Sequence, residues 1–195
     1  MLKDTLGLMQ DLAAYGNPKT KLSRLVKSGA VTQVRRGLYV EGSPPPPIAL
    51  APVIYGPSYL SFEFALAFHR LIPERVSVFT SAAYGKNKDK AFTTPYGEFT
   101  YAYLPRAAYP YGLERKEEGG YHFLIACPEK ALADVVYKRS GIQSPGDVRD
   151  LLFDDLRIEP SSLHAFDWNQ IRDWSPLYGG RSVKALANWG SMTYA

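Results

Sequence analysis

The chain is poor in several features that would otherwise direct its reading. Cysteine occurs once, at Cys127, so no disulfide within the chain and no cysteine-based zinc site can form, and a cytoplasmic protein is the simplest expectation. No apolar run approaches the roughly 18 residues that a membrane-spanning helix needs. The start, Met1-Leu2-Lys3-Asp4, places an acid early and leads into no apolar stretch of signal-peptide length, so it does not read as a secretory signal. His69, His122 and His164 lack metal-ligand spacing. No internal repeat is evident, and neither a metal nor another cofactor is expected. With 195 residues, 46% of them hydrophobic and 22% charged, the composition is globular. The length suits one substantial domain, or a small module joined to a medium one.

Net charge is also low, at +4, but its placement is uneven. Residues 1–40 hold Lys3, Lys19, Lys21, Arg24, Lys27, Arg35 and Arg36 against only Asp4 and Asp11, and the rest of the chain is close to neutral. A block of basic charge points to a polyanionic partner, of which nucleic acid is the commonest. The near-neutral remainder has no such electrostatic reason to bind DNA. The charge balance changes at Gly42-Ser43-Pro44-Pro45-Pro46-Pro47, where four prolines fix φ and remove four donors. This run reads as a short semi-rigid spacer, the alternative being a proline-rich surface loop inside one domain; as a linker at 42–47 it divides a module at 1–41 from a C-terminal domain at 48–195.

Within the module, Leu2, Leu6, Met9 and Ala13 recur at helical spacing and predict a helix over 2–15. Asn17-Pro18 then gives an N-cap followed by proline at the first helical position, and the second helix runs to about Lys27 before Gly29. Two short β-prone runs follow, joined through Arg35-Arg36-Gly37. Helix, turn, helix and basic hairpin is the order of a small winged helix-turn-helix. At roughly 100° per residue, Leu22, Leu25 and Val26 form one apolar stripe, while Thr20, Arg24 and Lys27 fall opposite with Ser23 beside them. Such a face can bond base edges and phosphates; Lys19, Lys21, Arg35 and Arg36 flank it as phosphate contacts.

In the C-terminal part, Ser58 is expected to cap a helix carrying Phe62, Ala65, Leu66 and His69. Val76–Ala82 reads as a strand, Phe92–Thr94 and Phe99–Leu104 as a hairpin, and Tyr121–Cys127 as another strand. Pro128 opens a helix with Leu132, Val135 and Val136 on one face, and helical segments near 145–153, 167–173 and 181–189 follow. The whole is α+β: a small winged helix-turn-helix followed by a mixed α/β domain with a mainly antiparallel sheet.

The run Asn17-Pro18-Lys19, Leu22 to Gly29 and Val34-Arg35-Arg36-Gly37-Leu38-Tyr39 closely resembles the N-terminal module of AbiEi-type antitoxins. The likeness continues through Gly56-Pro57-Ser58 to Leu66, through Thr80-Ser81 and Gly85-Lys86, and to Pro128-Glu129-Lys130-Ala131-Leu132-Ala133-Asp134. It implies a winged-helix autorepressor and antitoxin of a type IV, abortive-infection toxin–antitoxin system. Its expected partners are double-stranded promoter DNA with repeated half-sites and a nucleotidyltransferase-like toxin that it need not touch, with no membrane involved. Glu63, Lys86, Glu129, Lys130 and Asp134 lie in these stretches and are the antitoxin-domain candidates, with Glu63, Glu129, Lys130 and Asp134 read as a functional surface or a buried polar network. Elementary helix chemistry offers another account of three of them. Glu129 near a helix N-terminus favours the dipole, and Lys130 with Asp134 is an i,i+4 pair.

An enzyme is the alternative. Thr80–Lys86 imitates a phosphate-binding loop but lacks its first glycine, and Asn87 stands where Ser or Thr belongs. Glu114-Arg115-Lys116, with Asp89 upstream, imitates the acid-x-Lys half of a metal-dependent nuclease. No residue is assigned a catalytic role and the protein is expected not to be an enzyme; a nuclease or phosphotransfer activity of the C-terminal domain is the runner-up.

Overall fold

The computed structural model describes residues 1–194. The chain opens with strand β1 (Leu2–Asp4), helix α1 (Thr5–Asp11), helix α2 (Pro18–Lys27) and strands β2 (Val31–Arg35) and β3 (Leu38–Glu41). The three strands form an antiparallel sheet in the order β1-β3-β2. The helix expected from residue 2 therefore begins only at Thr5. Asp4 is its N-cap, accepting from the Gly7 amide at 2.7 Å, so the residues before it are extended and pair with β3, Leu2 opposite Val40. The later start also changes the buried face. Leu8 and Leu12 pack inward while Leu6 stays 67% exposed. The expectation for α2 holds to the residue: Asn17 caps it by accepting from the Thr20 amide at 3.0 Å, and Pro18 is its first position.

The two faces of this sheet bury different things. Val31 joins Leu8, Leu12 and Leu22 in a small cluster under α1 and α2. Leu2, Val34, Leu38 and Val40 join the large core of the rest of the chain. The proline run between them is not a free spacer. Pro45 is buried and Pro47 opens helix α3 (Pro47–Ile54), in which Ile48 to Ala51 and Ile54 are all buried. A helix apolar on every side belongs in a core, and α3 sits there with its Ala51 carbonyl accepting from the Tyr101 hydroxyl at 2.7 Å.

Strand β4 (Ser58–Leu60) and helix α4 (Phe62–Phe68) follow. Ser58 thus lies in a strand, and Ser61, not Ser58, occupies the N-cap of α4. Then come β5 (Phe79–Ala83), β6 (Lys90–Thr94), β7 (Gly97–Tyr103), β8 (Leu113–Glu118) and β9 (Tyr121–Ala126). These build a six-stranded sheet in the order β6-β7-β5-β4-β9-β8. Three pairings are antiparallel, but β5 runs parallel to β7 and β4 to β9, so the sheet is mixed. The predicted helix at Pro128 is α5 (Pro128–Lys138), and α6 (Pro145–Asp150), α7 (Trp168–Trp174) and α8 (Arg181–Tyr194) complete the described chain. Helix α5 packs on α4, α7 and α8.

Candidate nucleic-acid interface

Helix α2 presents the face its spacing predicts. Leu22 is buried and Leu25 and Val26 are half-buried, whereas Lys19, Thr20, Ser23, Arg24 and Lys27 are exposed. Lys21 is half-buried, its ammonium 4.6 Å above the Tyr15 ring. Among the described residues, no carboxylate pairs with Lys19, Lys21, Arg24, Lys27 or Arg36. Lys3, by contrast, is held at 2.7 Å by Asp11 and 2.6 Å by Glu41. The two acids of residues 1–40 are thus turned to structure, one capping α1 and one neutralising Lys3. The positive field of α2 is left uncompensated. Met9, Lys19, Val26, Lys27, Gln33 and Tyr39, from α1, α2 and the sheet, line one groove.

The two arginines of the hairpin have different fates. Arg36 is exposed in the turn. Arg35 is not free for phosphate: its Nε donates to the Ile54 carbonyl at 2.7 Å and its guanidinium also bonds the Arg36 carbonyl at 2.9 Å. The cause is a bulge. Gln33 pairs with Tyr39 and Arg35 with Leu38, so one extra residue, Val34, is inserted into β2. In a regular strand Arg35 would share the face of Val31 and Gln33; the bulge turns it towards α3 instead.

The antitoxin-domain candidates scatter into separate roles. Lys130, in the first turn of α5, and Asp134, in its middle, are fully buried. The Lys130 ammonium donates to Asp134 Oδ1 (2.8 Å), the Tyr178 hydroxyl (2.7 Å) and the Ala108 carbonyl (2.9 Å). Asp134 also accepts from Tyr178 (2.5 Å), Tyr59 (2.9 Å) and Ser61 (2.7 Å). Every donor of the ammonium and every acceptor site of the carboxylate is used, which is the condition under which a buried charge pair is tolerated. Burial, and then the Asp134 charge, hold the Tyr59 and Tyr178 hydroxyls far above their ordinary pKa. A surface i,i+4 pair is therefore the wrong account of these two residues. Glu129 accepts from the Asp167 amide at 3.0 Å, which fixes the start of α7. Glu63 pairs with Arg139 at 3.1 Å, and Lys86 lies 4.8 Å above the Tyr55 ring. Of the two functional readings, a surface or a buried polar network, Lys130 and Asp134 follow the second; its partners Tyr59, Ser61 and Tyr178 are far away in sequence and could not be named from it. The run Ala131 to Val136, apolar except for Asp134, was the available signal.

The nuclease constellation is not assembled. Glu114 lies on β8 at one edge of the six-stranded sheet, and Asp89 immediately precedes β6 at the other. Five strand spacings separate these edges, about 24 Å. Glu114 is paired with Lys116 at 2.8 Å and Asp89 with Lys138 at 3.2 Å. No cluster of three metal-ligating acids, histidines or cysteines occurs among the described residues. His69 is a packing residue, its Nε2 2.8 Å from the Ala126 carbonyl. Burial pushes the Cys127 thiol up to about 12, so it stays protonated and unreactive at neutral pH. No helix among the described residues is long and apolar enough to cross a membrane.

A search of curated proteins finds no match to the chain. Over residues 9–42, a stretch holding the end of α1, all of α2 and the β2–β3 hairpin, it matches the family described as "Transcriptional regulator, AbiEi antitoxin".

Proposed function

We propose that the protein is a DNA-binding autorepressor and antitoxin of the type IV class, countering a nucleotidyltransferase-like toxin encoded beside it without needing to touch it. The observation that carries this reading is the exposed face of α2. Lys19, Thr20, Ser23, Arg24 and Lys27 share it, and its cations have no carboxylate partner. In the proposed complex α2 lies in the major groove, Arg24 reads a base edge, and Lys19, Lys27 and Arg36 neutralise phosphates. The hairpin serves as the wing. Three phosphate contacts give modest affinity, so two copies on repeated half-sites supply the rest.

Footprinting of the DNA upstream of the gene tests the first half, and growth under toxin induction tests the second. Protection of paired sites, lost in Arg24→Ala, is expected, together with rescue of growth by the wild-type chain. No protected site in the promoter would sink the repressor reading. Unrelieved toxicity of the neighbouring nucleotidyltransferase would sink the antitoxin reading.

A further inference from the structure

The C-terminal part is near neutral as a whole, yet its charge is not evenly spread. Strands β5 and β7 run parallel and end together, Ala83 opposite Tyr103. Ligands commonly sit at the C-terminal ends of adjacent parallel strands, where the chain leaves the sheet. Here the loop from β5 to β6 carries Lys86 and Lys88, and Lys90 opens β6 directly after it. Arg106 joins it from the end of β7, for a Cβ at Gly85 would lie 3.9 Å from the Arg106 guanidinium. The one acid of the loop, Asp89, is neutralised by Lys138 and also accepts from the Tyr103 amide at 3.2 Å, which pins the loop to the sheet. Four cations remain with no carboxylate partner among the described residues, and Lys88, Lys90 and Arg106 are exposed.

Aromatic rings are interleaved with these charges. Arg106 lies 6.0 Å above Tyr84, Lys138 4.3 Å above Tyr103 and Lys86 4.8 Å above Tyr55. Tyr84 and Tyr103 nonetheless keep 42% and 38% of their surface open. Tyr84 is tilted against Tyr109 at 4.9 Å, yet a large part of both the Tyr84 and Tyr103 rings faces solvent. Each has a cation beside it and enough exposed ring to meet a flat aromatic group.

We infer that this end of the sheet binds single-stranded nucleic acid, with unstacked bases on Tyr84 and Tyr103 and phosphates on Lys88, Lys90 and Arg106. A duplex could use the lysines, but its base faces are stacked on one another and cannot reach a ring. The tyrosines are what favour a single strand. This surface is separate from α2 and does not rest on the operator reading.

The test uses the full chain and fluorescence anisotropy with labelled 12-nucleotide oligo-adenylate, as RNA and as DNA, competed by a 12-base-pair duplex of unrelated sequence. Lys88→Ala with Lys90→Ala should lower affinity about 25-fold at 0.1 M salt and reduce the salt slope by about 1.4, at roughly 0.7 per lost phosphate. Arg181→Ala with Lys184→Ala removes the same charge from exposed positions on α8 and should change affinity less than about twofold. Tyr84→Ala should cost between about fivefold and 150-fold, the range for one lost base stack, and Tyr84→Phe should restore binding. Arg24→Ala should leave oligo-adenylate binding unchanged. Stronger binding of the RNA or the DNA strand says which sugar is preferred, and either supports the inference. It is overturned if the duplex displaces the labelled strand as well as unlabelled oligo-adenylate does, if neither labelled strand binds, or if the α8 control weakens binding as much as the Lys88/Lys90 variant.

Discussion

Replacing Asp134 by Asn removes one charge from the centre of α5 while keeping the side chain's size. The structure sets the cost. Lys130 keeps the Ala108 carbonyl and the Tyr178 hydroxyl, but its ammonium becomes an uncompensated charge with no exposed surface. The new amide also turns one oxygen that accepted two bonds into a donor. Breaking a buried pair in this way costs about 3–5 kcal/mol, against about 5–15 kcal/mol for a whole domain. Lys130→Met should cost a similar amount, because the Asp134 carboxylate then rests on three hydroxyls alone. Lys130→Met combined with Asp134→Leu leaves no buried charge and should be less destabilised than the sum of the singles by at least about 2 kcal/mol. Urea unfolding of the wild type, Lys130→Met, Asp134→Leu and their double variant completes the cycle, with Asp134→Asn measured beside them. Single-variant costs below about 1 kcal/mol, the scale of an exposed pair, would refute the argument, as would strict additivity.

Four other outcomes follow from the same geometry. Arg24→Ala should relax preference at one base pair at a cost of about 1–3 kcal/mol, whereas Arg36→Ala should weaken all sequences alike and lower the salt slope by about 0.9; titrations against an operator and its single-base variants separate the two. Gly190→Ala should destabilise by about 3 kcal/mol in a thermal melt, since its Cβ would fall 1.8 Å from Trp168 Cε3 in the ring packed against α8. Stability should decline above about pH 10, the ordinary tyrosine value. There the unfolded chain releases protons that the raised pKa values of Tyr59 and Tyr178 retain in the fold, and Tyr178→Phe should flatten the decline in alkaline urea titrations. A fragment of residues 48–195 should aggregate on size-exclusion chromatography, because Leu2, Val34, Leu38 and Val40 no longer cover its core, each worth about 1.5–3 kcal/mol of burial.

Elements with local instructions were legible in the sequence. Asn17-Pro18 starts α2 and Pro128 starts α5 without help from the rest of the chain. The hairpin turn at Pro95-Tyr96 is equally self-contained, as Thr94 bonds both the Tyr96 amide and the Gly97 carbonyl. What failed depends on distant partners. Leu2–Asp4 is a strand because β3 pairs with it some 36 residues on. Helix α3 was concealed by the prolines before it, although its unbroken apolar sequence carried the signal. For the candidate site, the orientation of the α2 cations could be read from helical angle alone. The loss of Arg35 could not, since one bulged residue decides which way a strand side chain points. Nor could a neutral total charge for residues 48–195 disclose that four cations cluster at one end of a sheet.

The placement of the small sheet bears on how the two halves of the protein act together. A helix-turn-helix that hung from a flexible tether would bind DNA with no regard to the rest of the chain. Here β2 and β3 are held on both sides, by Val31 under the helices and by Val34, Leu38 and Val40 over the main core. Arg35 adds a bond from the hairpin to the end of α3. The residue after that bond is Tyr55, whose ring carries Lys86 of the β5–β6 loop, and β2 also touches β6. A continuous set of packed groups therefore runs from the hairpin beside α2 to the basic end of the large sheet. Two ligands bound at the two surfaces would be presented in a fixed relation by a rigid body. Any coupling between them would act through displacement of β2 and β3, which cannot move without disturbing both cores. Arg35→Ala is the substitution that loosens this connection while leaving the charges of α2 and of the loop in place.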